Sequence, residues 1–176
     1  MLFWHVGATI AFIRYAFRDP AMDLRYLAVG AVAADLIDLP IGAFFWDVFQ
    51  TPRLAAHSLL VPAVAMIGVL LFTARTGEAR KPWMLLTVGM LLHLLLDAMW
   101  RSPETLWWPF LGTEFTPTGI EAFADYVSEV LSTPLVWVVE AVGLGYLIML
   151  WRRSGLSSSR ARSVLWRTGI VSGRID

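Results

Sequence analysis

The chain has 176 residues, 57% of them hydrophobic and 16% charged, with a formal net charge of zero and a mean hydropathy of +0.63. A soluble domain of this length carries roughly a quarter charged residues, so the balance points to the membrane, and the absence of net positive charge gives no support for nucleic-acid binding. There is no cysteine, so disulfides and thiolate metal sites are excluded and any metal must be held by nitrogen and oxygen ligands.

Five apolar stretches follow one another, at about 2–17, 26–46, 54–74, 83–100 and 134–151. The first begins without a basic region or a small-residue cleavage pattern, which reads as a retained helix. Together they predict an all-α, polytopic helical bundle of about five transmembrane helices, with one domain over 1–151 and a basic, flexible tail over 152–176. Arg14, Arg18 and Arg25 flank the first connection, and Arg75, Arg80 and Lys81 the third. Arginines 152, 153, 160, 162, 167 and 174 follow the fifth stretch, leaving only Arg53 and Arg101 for the other side. The positive-inside rule then puts the N-terminus outside and the C-terminus in the cytoplasm.

The long connection 101–133 is acidic. Ile120, Phe123, Val127 and Val130 or Leu131 recur at helical spacing opposite Glu121, Asp125 and Glu129, which predicts a short amphipathic helix on the outer membrane face. Trp4, Trp46, Trp100, Trp107, Trp108 and Trp137 fall near the same interface and read as an aromatic belt.

The stretch that departs from a plain span is Trp83 to Trp100, because it carries His93 and Asp97 four residues apart, stacked on one helix face. Ionisable groups in hydrocarbon cost a few kcal/mol each and need a reason. With the orientation above, His5, Asp35, Asp38, His57, His93 and Asp97 all fall in one layer about 5–16 Å below the outer surface. Structural polar residues on four separate helices have no cause to share a depth, whereas a common site requires it. Histidine with carboxylate and no thiolate suits a divalent ion, zinc first and manganese next. His57, His93 and Asp97 are the expected core ligands, Asp35 and Asp38 are ligands or general base, and His5 is a peripheral ligand. Arg53 is placed to hold a phosphate on the outer side. Glu140, in the outer half of the fifth stretch, is expected to pair with Arg53 or Arg101.

The order of these residues also resembles a known family. Gly30-x4-Asp35-x2-Asp38, Arg53-x3-His57-Ser58, His93-Leu-Leu-Leu-Asp97 and Trp107-Trp-Pro-Phe110, preceded by His5, are similar to the YdjM-like family of predicted inner-membrane, metal-dependent hydrolases, over roughly residues 1–112. Pro52 stands where that family usually has histidine, and the two aspartates are one residue further apart than its usual pattern. The resemblance implies a multi-pass protein of the inner (cytoplasmic) membrane. It also implies a hydrolase, and the buried layer adds a phosphoester or lipid-type substrate taken from the extracytoplasmic side. The alternative is a non-enzymatic membrane protein: a transporter, a partner-binding subunit, or a family member that lost activity. A transporter needs polar residues continuing inward, and there only Arg14 is available.

Overall fold

A computed structural model describes residues 1–171; residues 172–176, Arg174 among them, lie outside that description. The described chain is all-helical and contains no strand. Helix α1 (Leu2–Phe17) closes at Arg18, whose left-handed backbone turns its N–H onto the Arg14 carbonyl. Asp23 then caps α2 (Leu24–Gly30), its carboxylate accepting from Arg25 N at 3.0 Å.

The second apolar stretch is not one straight rod. It breaks at Ala31 and Val32, where Val32 leaves helical geometry, and resumes as α3 (Ala33–Phe44). The cause lies in the partners. Gly30 and Gly89 let α2 meet helix α6 (Arg80–Leu96) backbone to backbone, since a Cβ on Gly30 would lie 2.1 Å from the Leu86 carbonyl oxygen. Asp38 of α3 is meanwhile bound to the loop at 54–57. One axis cannot serve both attachments.

After α3 come a single turn, α4 (Trp46–Phe49), a 3₁₀ turn at Ala55–His57 and α5 (Leu60–Phe72). Pro62 sits in the first turn of α5, where its missing N–H costs no helical bond. His57 therefore stands on the loop before the helix rather than on the helix itself. A 3₁₀ turn at Met99–Arg101 and α7 (Pro103–Leu106) follow α6, and α8 (Phe123–Ser132) is the predicted amphipathic helix. Its Phe123 and Tyr126 rings pack on Trp46, which is buried and donates from Nε1 to the Ile120 carbonyl at 3.1 Å. Trp46 thus holds α8 in place instead of joining an interfacial belt.

Helix α9 (Pro134–Arg153) packs along α1, with Gly143 so close that a Cβ would lie 2.2 Å from the Phe3 carbonyl oxygen. Leu24–Phe44 and Pro134–Arg153 are long and apolar enough to cross a membrane, while α1 and α5 are apolar but shorter. The segment read from sequence as a tail carries α10 (Ser159–Thr168), capped by Ser158 and ended by Gly169 in a left-handed conformation. Leu156 and Val171 on either side of it join Ile10, Ile13, Met22, Leu24 and Leu27 in one buried cluster. Burying each such side chain is worth about 1.5–3 kcal/mol.

Candidate metal centre

The break in the second apolar stretch builds the site. At the end of α2 the Ala31 carbonyl has no helical N–H to receive, and His93 of α6 donates to it from Nδ1 at 2.8 Å. A carbonyl can only accept, so Nδ1 carries the proton and Nε2 presents a lone pair. His57 is held in the same way from the other side: its Nδ1 lies 2.7 Å from Asp38 Oδ2, and that carboxylate also accepts from the backbone N–H groups of Leu54, Ala56 and His57 at 2.8, 3.1 and 3.0 Å. Asp38 is 2% exposed and fully occupied by these four donors.

Both imidazoles are therefore oriented with Nε2 towards each other, 3.3 Å apart, and both rings are inaccessible to solvent. Two lone pairs at that distance repel unless a cation lies between them. Asp35 Oδ1 stands 3.4 Å from His57 Nε2 and 3.6 Å from His93 Nε2, and Asp97 Oδ2 stands 3.8 Å from His57 Nε2. One ligand atom from each of Asp35, His57, His93 and Asp97 falls within 4.8 Å of all the others. Metal–nitrogen bonds of about 2.0–2.1 Å in a tetrahedron put neighbouring ligand atoms about 3.3–3.4 Å apart. The two histidines already have that spacing. The four residues are close enough to share one metal ion, and the His/Asp donor set fits a divalent one.

His5 sits at the edge of this group. Its ring stacks on His93 with centroids 4.3 Å apart, its Nδ1 faces the Met1 carbonyl, and its Nε2 is 2.9 Å from Asp97 Oδ1 but out of line for a hydrogen bond. Arg53 donates from Nε to Asp97 Oδ2 at 3.0 Å, with about a third of its side chain exposed. Asp97 thus faces His5 with one oxygen and Arg53 with the other.

Of the residues singled out in the sequence, the fold brings His57, His93, Asp97 and Asp35 together, sets His5 and Arg53 against Asp97, and turns Asp38 away to the loop. Glu140 pairs with neither Arg53 nor Arg101; it accepts from the Phe3 backbone N–H at 2.8 Å, at the start of α1. Pro52 lies in the wall of the adjoining cavity beside Arg53. Two participants carried no sequence signal: the Ala31 carbonyl, exposed only by the helix break, and Tyr126, brought over the site by α8.

A cavity of about 460 Å³ opens onto the cluster, with Asp35, Arg53 and Asp97 at its polar end and Leu39, Phe123, Val127 and Leu131 along its walls. A second space of about 350 Å³ adjoins it across Arg53 and Tyr126 and is lined by Thr51, Ser102, Thr116 and Thr118.

An all-helical chain with membrane-length segments and a buried His/Asp cluster beside an amphipathic cavity is a membrane protein equipped to hold a metal ion. More narrowly, it belongs to a family described as YdjM inner membrane protein, which matches residues 3–170 and so takes in the fifth apolar stretch and α10 as well as the motif-bearing part. No curated protein and no solved structure matches the chain.

Proposed function

We propose that this chain is a multi-pass inner-membrane hydrolase with five membrane-crossing segments, an outward-facing divalent-metal site, most simply zinc, and a phosphoester-bearing lipid as substrate. The observation that carries the reading is the pair of buried imidazoles whose Nε2 lone pairs converge between two carboxylates while both Nδ1 atoms are locked by Asp38 and the Ala31 carbonyl. Such orientation of ligand histidines from behind is how metal sites are prepared. His57, His93, Asp97 and Asp35 are the ligands in this reading, and His5 supports Asp97. Asp38 holds the His57 tautomer.

A divalent ion held there supplies Lewis acidity and lowers the pKa of water at the site. The residues around it divide the remaining work. Asp35 turns Oδ1 to the histidines and is the most accessible of the four, and its Oδ2, 3.7 Å from the Met1 ammonium, is the oxygen left to take a proton from water on the cavity side. Arg53 keeps Nε on Asp97 and leaves its other guanidinium nitrogens to pair with a phosphate oxygen. The apolar walls beneath α8 exclude water and accept an acyl chain, which supports a substrate arriving from within the bilayer.

The test is metal content of the detergent-purified protein together with turnover of phosphoester lipids. The parent is expected to bind a divalent ion and to hydrolyse such a lipid. Arg53→Ala is expected to keep the metal and lose about 10–100-fold in kcat/KM, the worth of a charge-assisted hydrogen bond to substrate. A parent that binds no divalent ion at any pH tested overturns the proposal.

A further inference from the structure

At the opposite end of α1 from His5, the structure forms a second, unrelated site. Between α9 and α10 lies a pocket of about 320 Å³ lined by Ser154, Ser158, Arg160 and Ala161, and among the described residues no acidic side chain lines it. Ser154 is 5% exposed, yet its hydroxyl has no hydrogen-bond partner among the described residues. A buried hydroxyl left unpaired costs about 1–3 kcal/mol, so this donor calls for an acceptor from outside the chain. Ser158 caps α10 by accepting from Ala161 N, which brings the positive end of a ten-residue helix to the same pocket. Arg160 adds a full charge. Donor, helix end and guanidinium all favour an anion.

Leu156 and Val171 form the far wall of this pocket and, on their other side, the wall of an almost wholly apolar cavity of about 460 Å³, bounded by Ile10, Leu24, Leu150 and Leu165. Trp166 of α10 is exposed next to it, Val164 is exposed at the smaller pocket, and the apolar surface of α9 runs up to Trp151 at the cavity's edge. An anion pocket sharing a wall with an apolar cavity, at the rim of a membrane helix, has the two compartments of a lipid.

We infer that this face binds an anionic phospholipid, with the phosphate between Ser154, the start of α10 and Arg160, and an acyl chain in the apolar cavity. The site is separate from the metal centre and does not depend on hydrolysis. Its occupancy ties α10 to α1, α2 and α9 through the shared wall.

The experiment is native mass spectrometry of the full chain, delipidated in detergent and then offered phosphatidylglycerol, phosphatidylcholine or inorganic phosphate. The parent is expected to retain one phosphatidylglycerol in preference to phosphatidylcholine. Ser154→Val and Arg160→Gln should each lower that retention about tenfold, as loss of one charge-assisted hydrogen bond would. Arg167→Gln removes an equal charge from the same helix outside both spaces and should leave retention near the parent's. Arg160 is exposed, so its replacement tests the site even if Ser154→Val fails to fold. Equal retention of phosphatidylcholine, a loss in Arg167→Gln matching that in Arg160→Gln, or stoichiometric uptake of inorganic phosphate without lipid would each overturn the inference.

Discussion

Asp38→Asn separates a carboxylate that ligates from one that orients. With the amide oxygen in the place of Oδ2, three of the four bonds persist, from Leu54 N, His57 N and His57 Nδ1. The amide nitrogen then faces the Ala56 N–H, donor against donor, and one buried bond is lost at about 1–3 kcal/mol. The three surviving bonds change from charge-assisted to neutral, at about 1 kcal/mol each. Relief from keeping a carboxylate buried returns several kcal/mol. The net is a destabilisation of about 2 kcal/mol, or about 4–8 °C in Tm for a chain of this size. The consequence for the site is larger than for the fold. Losing an anionic partner behind His57 Nδ1 makes Nε2 a weaker ligand, and such changes weaken metal binding about 10–100-fold without abolishing it. Calorimetric titration with zinc and with manganese in detergent measures this directly. His93→Ala, which removes a ligand atom, is the reference and should lose stoichiometric binding. If Asp38→Asn bound metal like the parent, or lost it as completely as His93→Ala, the separation of roles would be wrong.

Gly89→Val should lower the thermal midpoint by the equivalent of at least about 2 kcal/mol, because its Cβ would lie 2.7 Å from the Leu27 carbonyl oxygen and 2.9 Å from Ala31 N, and backbone must move. It should also weaken metal binding by displacing the Ala31 carbonyl from His93, while Gly145→Val, with nothing within 4 Å of its Cβ, should do neither. Burial opposes ionisation of Asp23, but hydrogen bonds from the Arg25 side chain and backbone more than offset it, so its carboxyl titrates below the ordinary range. A lowered folded pKa stabilises above the unfolded value and is lost as pH falls through the folded one. The gap in thermal midpoint between the parent and Asp23→Asn should therefore hold above about pH 5 and close below about pH 4; a gap independent of pH would refute it. A reporter inserted near Glu114 should read extracytoplasmic and one fused after Asp176 cytoplasmic; both on one side would remove the basis for placing the metal site outward.

Much of this protein was legible without coordinates. Hydropathy and helical period are local properties, and they suffice for an all-helical membrane chain, for the amphipathic α8, and for setting His93 one turn before Asp97, which the structure makes the C-cap of α6. The family could be recognised because its motifs are short and stand in fixed order. Even the candidate set of His5, Asp35, Asp38, His57, His93 and Asp97, within which the four clustered residues fall, needed only the observation that polar residues on separate apolar stretches share a depth.

What each carboxylate does was decided elsewhere. Asp35 and Asp38 lie three residues apart on α3, and nothing local tells them apart. The difference comes from the backbone at 54–57, whose N–H groups reach Asp38 across 16 to 19 residues of chain and use up its acceptors. The tautomer of His93 depends on a carbonyl 62 residues away, exposed only because glycine contacts pin α2 to α6 and force the chain to break. Likewise α10 reads as a charged tail until Leu156 and Val171 find the apolar ends of α1 and α2. Sequence pattern encodes which face of an element is apolar and which residues are ionisable; which lone pair meets which donor is set by pairings between distant segments, and those exist only once the helices have packed.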